Sequence, residues 1–235
     1  EQALLDTIDA WVEKSVAPIA REYDLEDKYP HQLVEEMKDL GLFGATISTE
    51  YGGLGLPARI YAKIVIKVSS VWMAPTGIFN SHLIMAAAIE RCGTEEQKRK
   101  YLPRMATGEL RGSLGLTEPN AGTDLQAIRT VARRESDHYV INGAKTWITN
   151  SMYGDMVLLL TKTDPEAQPR HKGMSMFIAE KGDGFIVAKK MKKSGYRAID
   201  TCELAFQDYK VPADCLLGGV EGQGFQHAVG GLELG

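Results

Sequence analysis

The sequence predicts an α+β fold. An N-terminal all-α helical domain is followed by a small antiparallel β-barrel or sandwich domain, and then by the start of a C-terminal helical bundle whose remainder is missing. Three observations predict it. Up to residue 111, apolar residues recur at helical spacing. From Gly112 the period shortens, and brief alternating or apolar runs are separated by turn residues. From Gln223 a helical pattern resumes and is still running at Gly235. The expected divisions are therefore residues 1–111, 112–222 and 223–235.

In the first part, Leu4, Leu5, Ile8, Trp11 and Val12 share one helical face, and the helix is expected to fade around Pro18. Pro30 suits the first position of a second helix with the face Leu33, Val34, Met37 and Leu40, and Gly41 suits its C-terminal cap. Gly41, Gly44, Gly52, Gly53 and Gly55 then mark a loop. Glycine loops can cradle phosphate, but this one has no preceding strand and no Gly-Lys-Ser/Thr. A third helix carries Ile60, Ile64, Val68 and Trp72 and is expected to break at Pro75. Gly77–Arg91 is apolar almost all round, which predicts a buried central helix. Within it His82 reads as a satisfied core histidine. Thr94 with Gln97 forms a capping box for the next helix, which Pro103 and Gly108 close.

In the second part, residues 130–133, 139–141, 146–148, 156–161, 173–179, 185–189 and 201–206 read as short strands. Asn142-Gly143 carries the strongest hairpin signal, because both residues tolerate positive φ. The glycines at 218, 219, 222 and 224 do not fit a nucleotide-binding fingerprint and read as a connector. Lys189, Lys190, Lys192 and Lys193 read as a solvated strand edge.

Composition narrows the function. The 235 residues are 44% hydrophobic and 25% charged, as in soluble globular proteins. Against 31 acidic side chains stand 27 Lys and Arg, a net charge of −4, so no nucleic-acid partner is expected. Cys92, Cys202 and Cys215 are odd in number and lack Cys-x-x-Cys spacing, which fits a reducing compartment. The longest strongly apolar run, Leu83–Ile89, is far short of the roughly 20 residues of a membrane span. Neither a hydrolase nucleophile elbow nor a metal-spaced cluster is present.

Two stretches remain that could hold a ligand. Leu114-Gly115-Leu116-Thr117 begins like a strand, is stopped by Pro119, and continues as a polar loop through Gly122 and Thr123 to Asp124. It could equally be an ordinary strand and turn. In Asn142–Asn150, alternation turns Trp147 and Thr149 the same way, so an aromatic face and a hydroxyl share one wall. That suits a flat, hydrogen-bonding ligand, and a core tryptophan would give the same pattern.

Read together, the motifs Leu-Thr-Glu-Pro-Asn-Ala-Gly-Thr-Asp (116–124), Asn-Gly-x-Lys-x-Trp-Ile-Thr-Asn (142–150) and Gly-Tyr-Arg-x-x-Asp-Thr-x-Glu-Leu-x-Phe-x-Asp-x-x-Val-Pro (195–212) resemble the acyl-CoA dehydrogenase flavoproteins in order and spacing. The resemblance implies FAD bound across the β domain. Leu114, Gly115, Leu116, Thr117, Gly122 and Thr123 would line it, and Trp147, Ile148 and Thr149 would cover the other side. Thr149 would sit near flavin N5, and Thr123 and Glu233 would contact substrate. The implied reaction is α,β-dehydrogenation of an acyl-CoA, with electrons passed to an electron-transferring flavoprotein. The resemblance also implies a homotetramer or homodimer, in the bacterial cytoplasm or the mitochondrial matrix, with the former favoured. Alternatives on the same fold are an acyl-CoA oxidase, a flavin monooxygenase or a non-catalytic scaffold.

The departures from the family pattern are informative. The family's basic glutamate belongs to the C-terminal domain, so no catalytic residue is expected in this chain. Gly235 occupies the position used by some members as an alternative, and it has no side chain. Ile199 stands where serine is common. The absence of arginine between Ile60 and Glu90 argues against a glutaryl-type substrate.

Overall fold

A computed structural model describes residues 1–232. Glu233 and Gly235, given roles by the resemblance, lie outside the described residues. The helices are α1 (Gln2–Trp11), α2 (Ala17–Glu26), α3 (His31–Asp39), α4 (Ala58–Ser69), α5 (Met73–Cys92), α6 (Glu95–Ala106) and α7 (Gly224–Leu232). Three prolines lie inside helices rather than at their ends. The first helix does not fade at Pro18. It passes through a π turn, Val12–Val16, and continues as α2 with Pro18 in the first turn. The Ala17 N–H reaches back to Val12 O, so the wider turn absorbs the bonding mismatch that a proline imposes. Pro75 likewise lies inside the first turn of α5 rather than before it, where its missing N–H costs nothing. Pro103 is within α6, which ends at Ala106 ahead of Gly108 at φ 73°. Pro30 precedes α3 as its cap, and Gly41 ends that helix at φ 70°.

The glycine loop between α3 and α4 is folded in on itself. The N–H groups of Gly53, Leu54, Gly55 and Leu56 bond to the carbonyls of Ser48, Gly44, Ile47 and Ala45. None of these four donors is turned outward for a phosphate. Glycine is needed for close approach: a Cβ on Gly53 would stand 2.1 Å from Ile47 O.

Helix α5 is the axis of the helical part, buried from Ala74 to Phe79 and again at His82, Leu83, Met85, Ala86, Ala88 and Ile89. Asn80, Ser81, Ile84, Ala87 and Glu90 form a half-buried stripe along it. His82 is the satisfied core histidine expected. Its Nε2–H is shared between Phe43 O (3.2 Å) and Met105 O (3.1 Å), and its Nδ1 accepts the Gly112 N–H (3.3 Å). One ring therefore joins the glycine loop, α6 and the first strand to α5.

The strands are β1 (Gly112–Gly115), β2 (Val131–Glu135), β3 (His138–Thr149), β4 (Met156–Lys162), β5 (Met174–Glu180), β6 (Phe185–Lys190) and β7 (Thr201–Pro212). They form one curled sheet in the order β1-β4-β2-β3-β7-β6, with β5 on the other edge of β4. Most pairings are antiparallel, but β1 pairs with β4 in parallel, and so does β2 through Val131 and Lys162. β4 and β5 are buried on both faces, which explains their unbroken apolar runs. Met156, Leu158 and Leu160 pack into the helical core, while Val157 and Leu159 pack into a second core with Tyr139, Ile141, Leu204 and Phe206.

Asn142-Gly143 is not a hairpin. It lies inside the continuous strand β3, opposite a bulge in β7. Asn142 exchanges side-chain hydrogen bonds with Asp208, 3.0 Å to its carboxylate and 2.9 Å from its N–H, and a Cβ on Gly143 would meet Thr130 Oγ1 at 2.4 Å. Long-range pairing thus overrides a local turn preference. The actual tight turn is Ser136-Asp137, between the paired residues Glu135 and His138, with Ser136 at φ 56°. The lysine run is only partly solvated. Lys189 and Lys192 are exposed, but Lys190 pairs with Asp27 at 3.1 Å, and Lys193 Nζ donates to Ile199 O (2.7 Å) and Thr201 Oγ1 (2.8 Å). The cysteines are free, with Cys202 and Cys215 buried. No helix among the described residues is long and apolar enough to cross a membrane.

Two outcomes follow from this packing. Gly53→Ala should destabilise the protein by about 1–3 kcal/mol through forced displacement of backbone, measured by urea unfolding. Burial lowers the His82 pKa from 6.5 to about 4, so the ring stays neutral when folded while the unfolded chain takes up a proton near 6.5. Its contribution is intact above 6.5 and is lost as pH falls towards 4. The loss is about 3 kcal/mol. His82→Gln should lower stability at pH 7 and flatten that part of the pH dependence.

Candidate functional site

The candidate residues converge where α5 passes the ends of β1 and β3. Ser81 and Ile84 of α5, Ser113 and Leu114 of β1, and Trp147 and Thr149 of β3 enclose a cleft of about 160 Å³. Glycines make the approach possible. A Cβ on Gly112 would meet Met85 Sδ at 2.3 Å, and one on Gly115 would meet Val157 Cγ1 at 2.6 Å.

Trp147 is the unusual residue of this cleft. It is a large aromatic at φ 62°, a left-handed conformation that bulky side chains rarely adopt, and 57% of its surface is exposed. The cause is a bulge. β3 and β7 pair at Lys145 with Leu204 and next at Ile148 with Cys202, so Thr146 and Trp147 together face Glu203 alone. The bulge also decides which face each side chain takes. Tyr139 and Ile141 point into the β core. Continued alternation would send Trp147 and Thr149 there as well. With the bulge, Ile148 enters the core instead, and Trp147 and Thr149 turn to the cleft.

The backbone groups of Thr146, freed from β7, bond to the β1 loop. Thr146 N–H donates to Thr117 O (3.0 Å), and Thr117 Oγ1 donates to Thr146 O (2.6 Å). Beneath them lies a buried ion pair. Lys145 Nζ donates to Glu118 Oε1 (2.9 Å) and to Leu116 O (3.0 Å), with the lysine side chain fully enclosed. Glu118 also accepts the N–H groups of Arg129 (2.6 Å) and Thr130 (3.0 Å). Burial would raise the Glu118 pKa, but Lys145 and these donors hold it below the ordinary carboxylate value. Burial pushes Lys145 down to about 8 against the pull of Glu118. The two directions are compatible, because the carboxylate has more partners than the ammonium, and the pair is charged at neutral pH. Glu118 is therefore occupied and cannot serve as a base.

On the far side of Thr149, Asn150 is fixed by its N–H to Asp200 O (3.2 Å) and by Nδ2 to Ile78 O of α5 (2.7 Å). Asp200 Oδ2 in turn accepts the Met152 N–H at 2.6 Å. Lys145, Asn150 and Asp200 were present in the sequence motifs but carried no signal of burial. Ser81, Ile84 and Ser113 were missed because nothing local links α5 and β1 to β3.

The other expected residues are distributed unevenly. Leu114, Trp147 and Thr149 line the cleft. Gly115 and Leu116 are buried beside it. Thr117 is half-buried with its hydroxyl proton donated to Thr146, which leaves its lone pairs as acceptors. Ile148 faces away, so it meets a ligand in the cleft through backbone at most. Gly122 and Thr123 are exposed, beyond a tight turn closed by Glu118 and Ala121. A larger concavity of about 740 Å³ lies between Arg91, His171, Lys172, Glu221 and Phe225, but it gathers none of these groups. No cluster of metal ligands occurs among the described residues.

The cleft fits a flat heteroaromatic ring with polar edges. An indole face stands exposed on one wall, Leu114 and Ile84 are apolar, and hydroxyls ring the edge. The Ser113 Oγ is buried with no hydrogen-bond partner.

Comparison with known proteins agrees. The family model described as acyl-CoA dehydrogenase, N-terminal domain, matches residues 1–109, and that described as acyl-CoA dehydrogenase, middle domain, matches residues 113–209. The short-chain specific acyl-CoA dehydrogenase of Clostridium acetobutylicum is 42% identical over 238 residues, covering 100% of this chain and 62% of that protein. The mitochondrial isovaleryl-CoA dehydrogenase of Bos taurus is 37% identical, covering 100% and 56%. The solved butyryl-CoA dehydrogenase of Megasphaera elsdenii superimposes with a TM-score of 0.93 at 35% identity, covering 99% of this chain and 62% of that one. The chain spans less than two thirds of the length of each. Matched by both models, and sharing its architecture with the solved relative, the chain belongs to the acyl-CoA dehydrogenase family.

Proposed function

We propose that the protein carrying this chain is an FAD-dependent acyl-CoA dehydrogenase that forms a trans-2-enoyl-CoA and passes electrons to an electron-transferring flavoprotein. The observation that carries this reading is the exposed Trp147 indole, turned with Thr149 and Leu114 into one cleft beside α5. FAD supplies the hydride acceptor, which none of the side chains can provide. Thr149 orients the reacting edge by its hydroxyl. Trp147 covers one face and excludes water from it, Leu114 supplies apolar wall, and Thr117 accepts a hydrogen bond. Gly122 and Thr123 lie out along the loop, where they would meet the phosphate-bearing part of the cofactor and, through Thr123, the acyl-CoA.

The acyl chain has a path along α5. A groove of about 380 Å³ between Leu56, Tyr61, Asn80, Ile84 and Ala87 shares Ile84 with the cleft. Tyr61 closes it by donating to Asn80 Oδ1 at 2.6 Å. The base that removes the α-proton belongs to residues beyond Gly235, with Glu233 as a substrate contact. On this reading residues 1–111, 112–222 and 223–235 are the helical domain, the β domain and the start of a C-terminal bundle, and the protein works as a homotetramer or homodimer. The free cysteines support a reducing compartment, either the bacterial cytoplasm or the mitochondrial matrix.

A second reading has one observation in its favour. A solved structure of a prolyl acyl carrier protein oxidase shares the fold with a TM-score of 0.92 at 27% identity. Rapid oxygen consumption by the reduced full-length protein would select an oxidase.

The full-length protein should be yellow and should bleach when mixed anaerobically with short acyl-CoAs. A flavin that stays oxidised across a panel of acyl-CoAs would refute the proposal. Thr149→Ala should slow flavin reduction by about 10- to 100-fold in stopped-flow measurements, as expected for loss of one oriented hydroxyl. The 235-residue chain alone should bind FAD weakly and show no turnover.

A further inference from the structure

We infer that the buried Lys145–Glu118 pair is a positioning device for the cofactor, holding the two walls of the cleft in register. This rests on the proposed flavin reading. The observations are geometric. Segment 116–118 and segment 145–146 are laced by four hydrogen bonds: Lys145 Nζ to Leu116 O, Lys145 Nζ to Glu118 Oε1, Thr146 N–H to Thr117 O, and Thr117 Oγ1 to Thr146 O. The next residue on one side is Trp147, and two residues back on the other is Leu114. Both face the cleft.

The pair also sustains the bulge. Thr146 turns both of its backbone groups from β7 to Thr117, and this lets two residues of β3 oppose one of β7. Without the tie, Thr146 would be free to pair with β7. A slip of one residue would return Trp147 and Thr149 to the core side and expel Ile148. Glu118 is anchored independently to the start of β2 by the Arg129 and Thr130 N–H groups, so it gives Lys145 a fixed point. An ordinary core would fill this space with apolar side chains at no loss of stability. The ionic pair adds a directional link, which apolar packing lacks. Lys145 and Glu118 do not face the cleft, so they act on the ligand only through Leu116, Thr117 and Trp147.

The test compares FAD affinity with the stability of the FAD-free protein, using the full-length chain. Glu118→Gln keeps the shape and one of the two acceptor oxygens that receive the Arg129 and Thr130 N–H groups, and Lys145→Met/Glu118→Gln removes both charges, so that the double variant leaves no lone charge buried. Gly53→Ala, in the distant loop, is the control for lost stability alone. FAD dissociation constants are measured by quenching of flavin fluorescence, and FAD-free unfolding by circular dichroism. Both pair variants should raise the FAD dissociation constant by about tenfold or more. Gly53→Ala should leave it unchanged even if its melting temperature falls further. Wild-type affinity in both pair variants would overturn the positioning role and leave the flavin reading standing. Equal loss of affinity in Gly53→Ala would show that affinity merely follows stability, and would overturn it too. Failure of the wild-type protein to bind FAD would remove both proposals together.

Discussion

The architecture of the site depends on one irregularity, the two residues of β3 that stand against a single residue of β7. A regular β3 would bury Trp147 and Thr149 and present Ile148 to the cleft. The insertion costs Trp147 a left-handed backbone and costs Thr146 its pairing with β7. Both costs are offset next door. Thr117 takes up the hydrogen bonds of Thr146, and a fully enclosed lysine holds the same loop through Leu116 and Glu118. A strained residue persists only where its surroundings over-determine it, and here the surroundings are a dense polar network.

The cleft also needs the helical part to stay in place against the sheet. Three contacts of different kinds do this. His82 bonds α5 to β1, α6 and the glycine loop through a single neutral ring. Asn150 ties the end of β3 to Ile78 of α5. Arg111, at the junction, gives its N–H to Asp155 (2.8 Å), one guanidinium nitrogen to the Tyr29 hydroxyl (3.0 Å) and the other to Tyr153 O (2.5 Å). These polar links set orientation, and the shared apolar core of α5, β4 and β5 supplies the bulk of the burial.

Much of the fold was legible in the sequence because it follows from local rules. The helical stripes, the Thr94 capping box, the Gly41 cap and most strand positions depend on neighbours within a few residues. Errors arose where a local preference met a tertiary demand. Asn142-Gly143 is a good hairpin turn in isolation, yet β7 offers a long partner and keeps the chain extended. By local rules Pro18, Pro75 and Pro103 suit the ends of helices, but a first turn, a π turn or a last turn accommodates each of them. The lysine run has the pattern of a solvated edge, yet two of its members are tied, one to Asp27 and one to Ile199 O and the Thr201 hydroxyl.

For the site, the sequence by itself determined which chemistry is available. An indole and a hydroxyl stand two residues apart on a strand, a threonine-bearing loop follows a short strand, and the motifs identify the family. Only the tertiary structure decided which way those groups face and what holds them. The side on which Trp147 lies is set by a bulge, and the bulge is secured by Lys145 reaching Glu118, 27 residues away in the chain. Alternation along a strand tells which side chains agree with one another. It cannot tell which face is the cleft, because a single inserted residue, stabilised from a distance, reverses the answer.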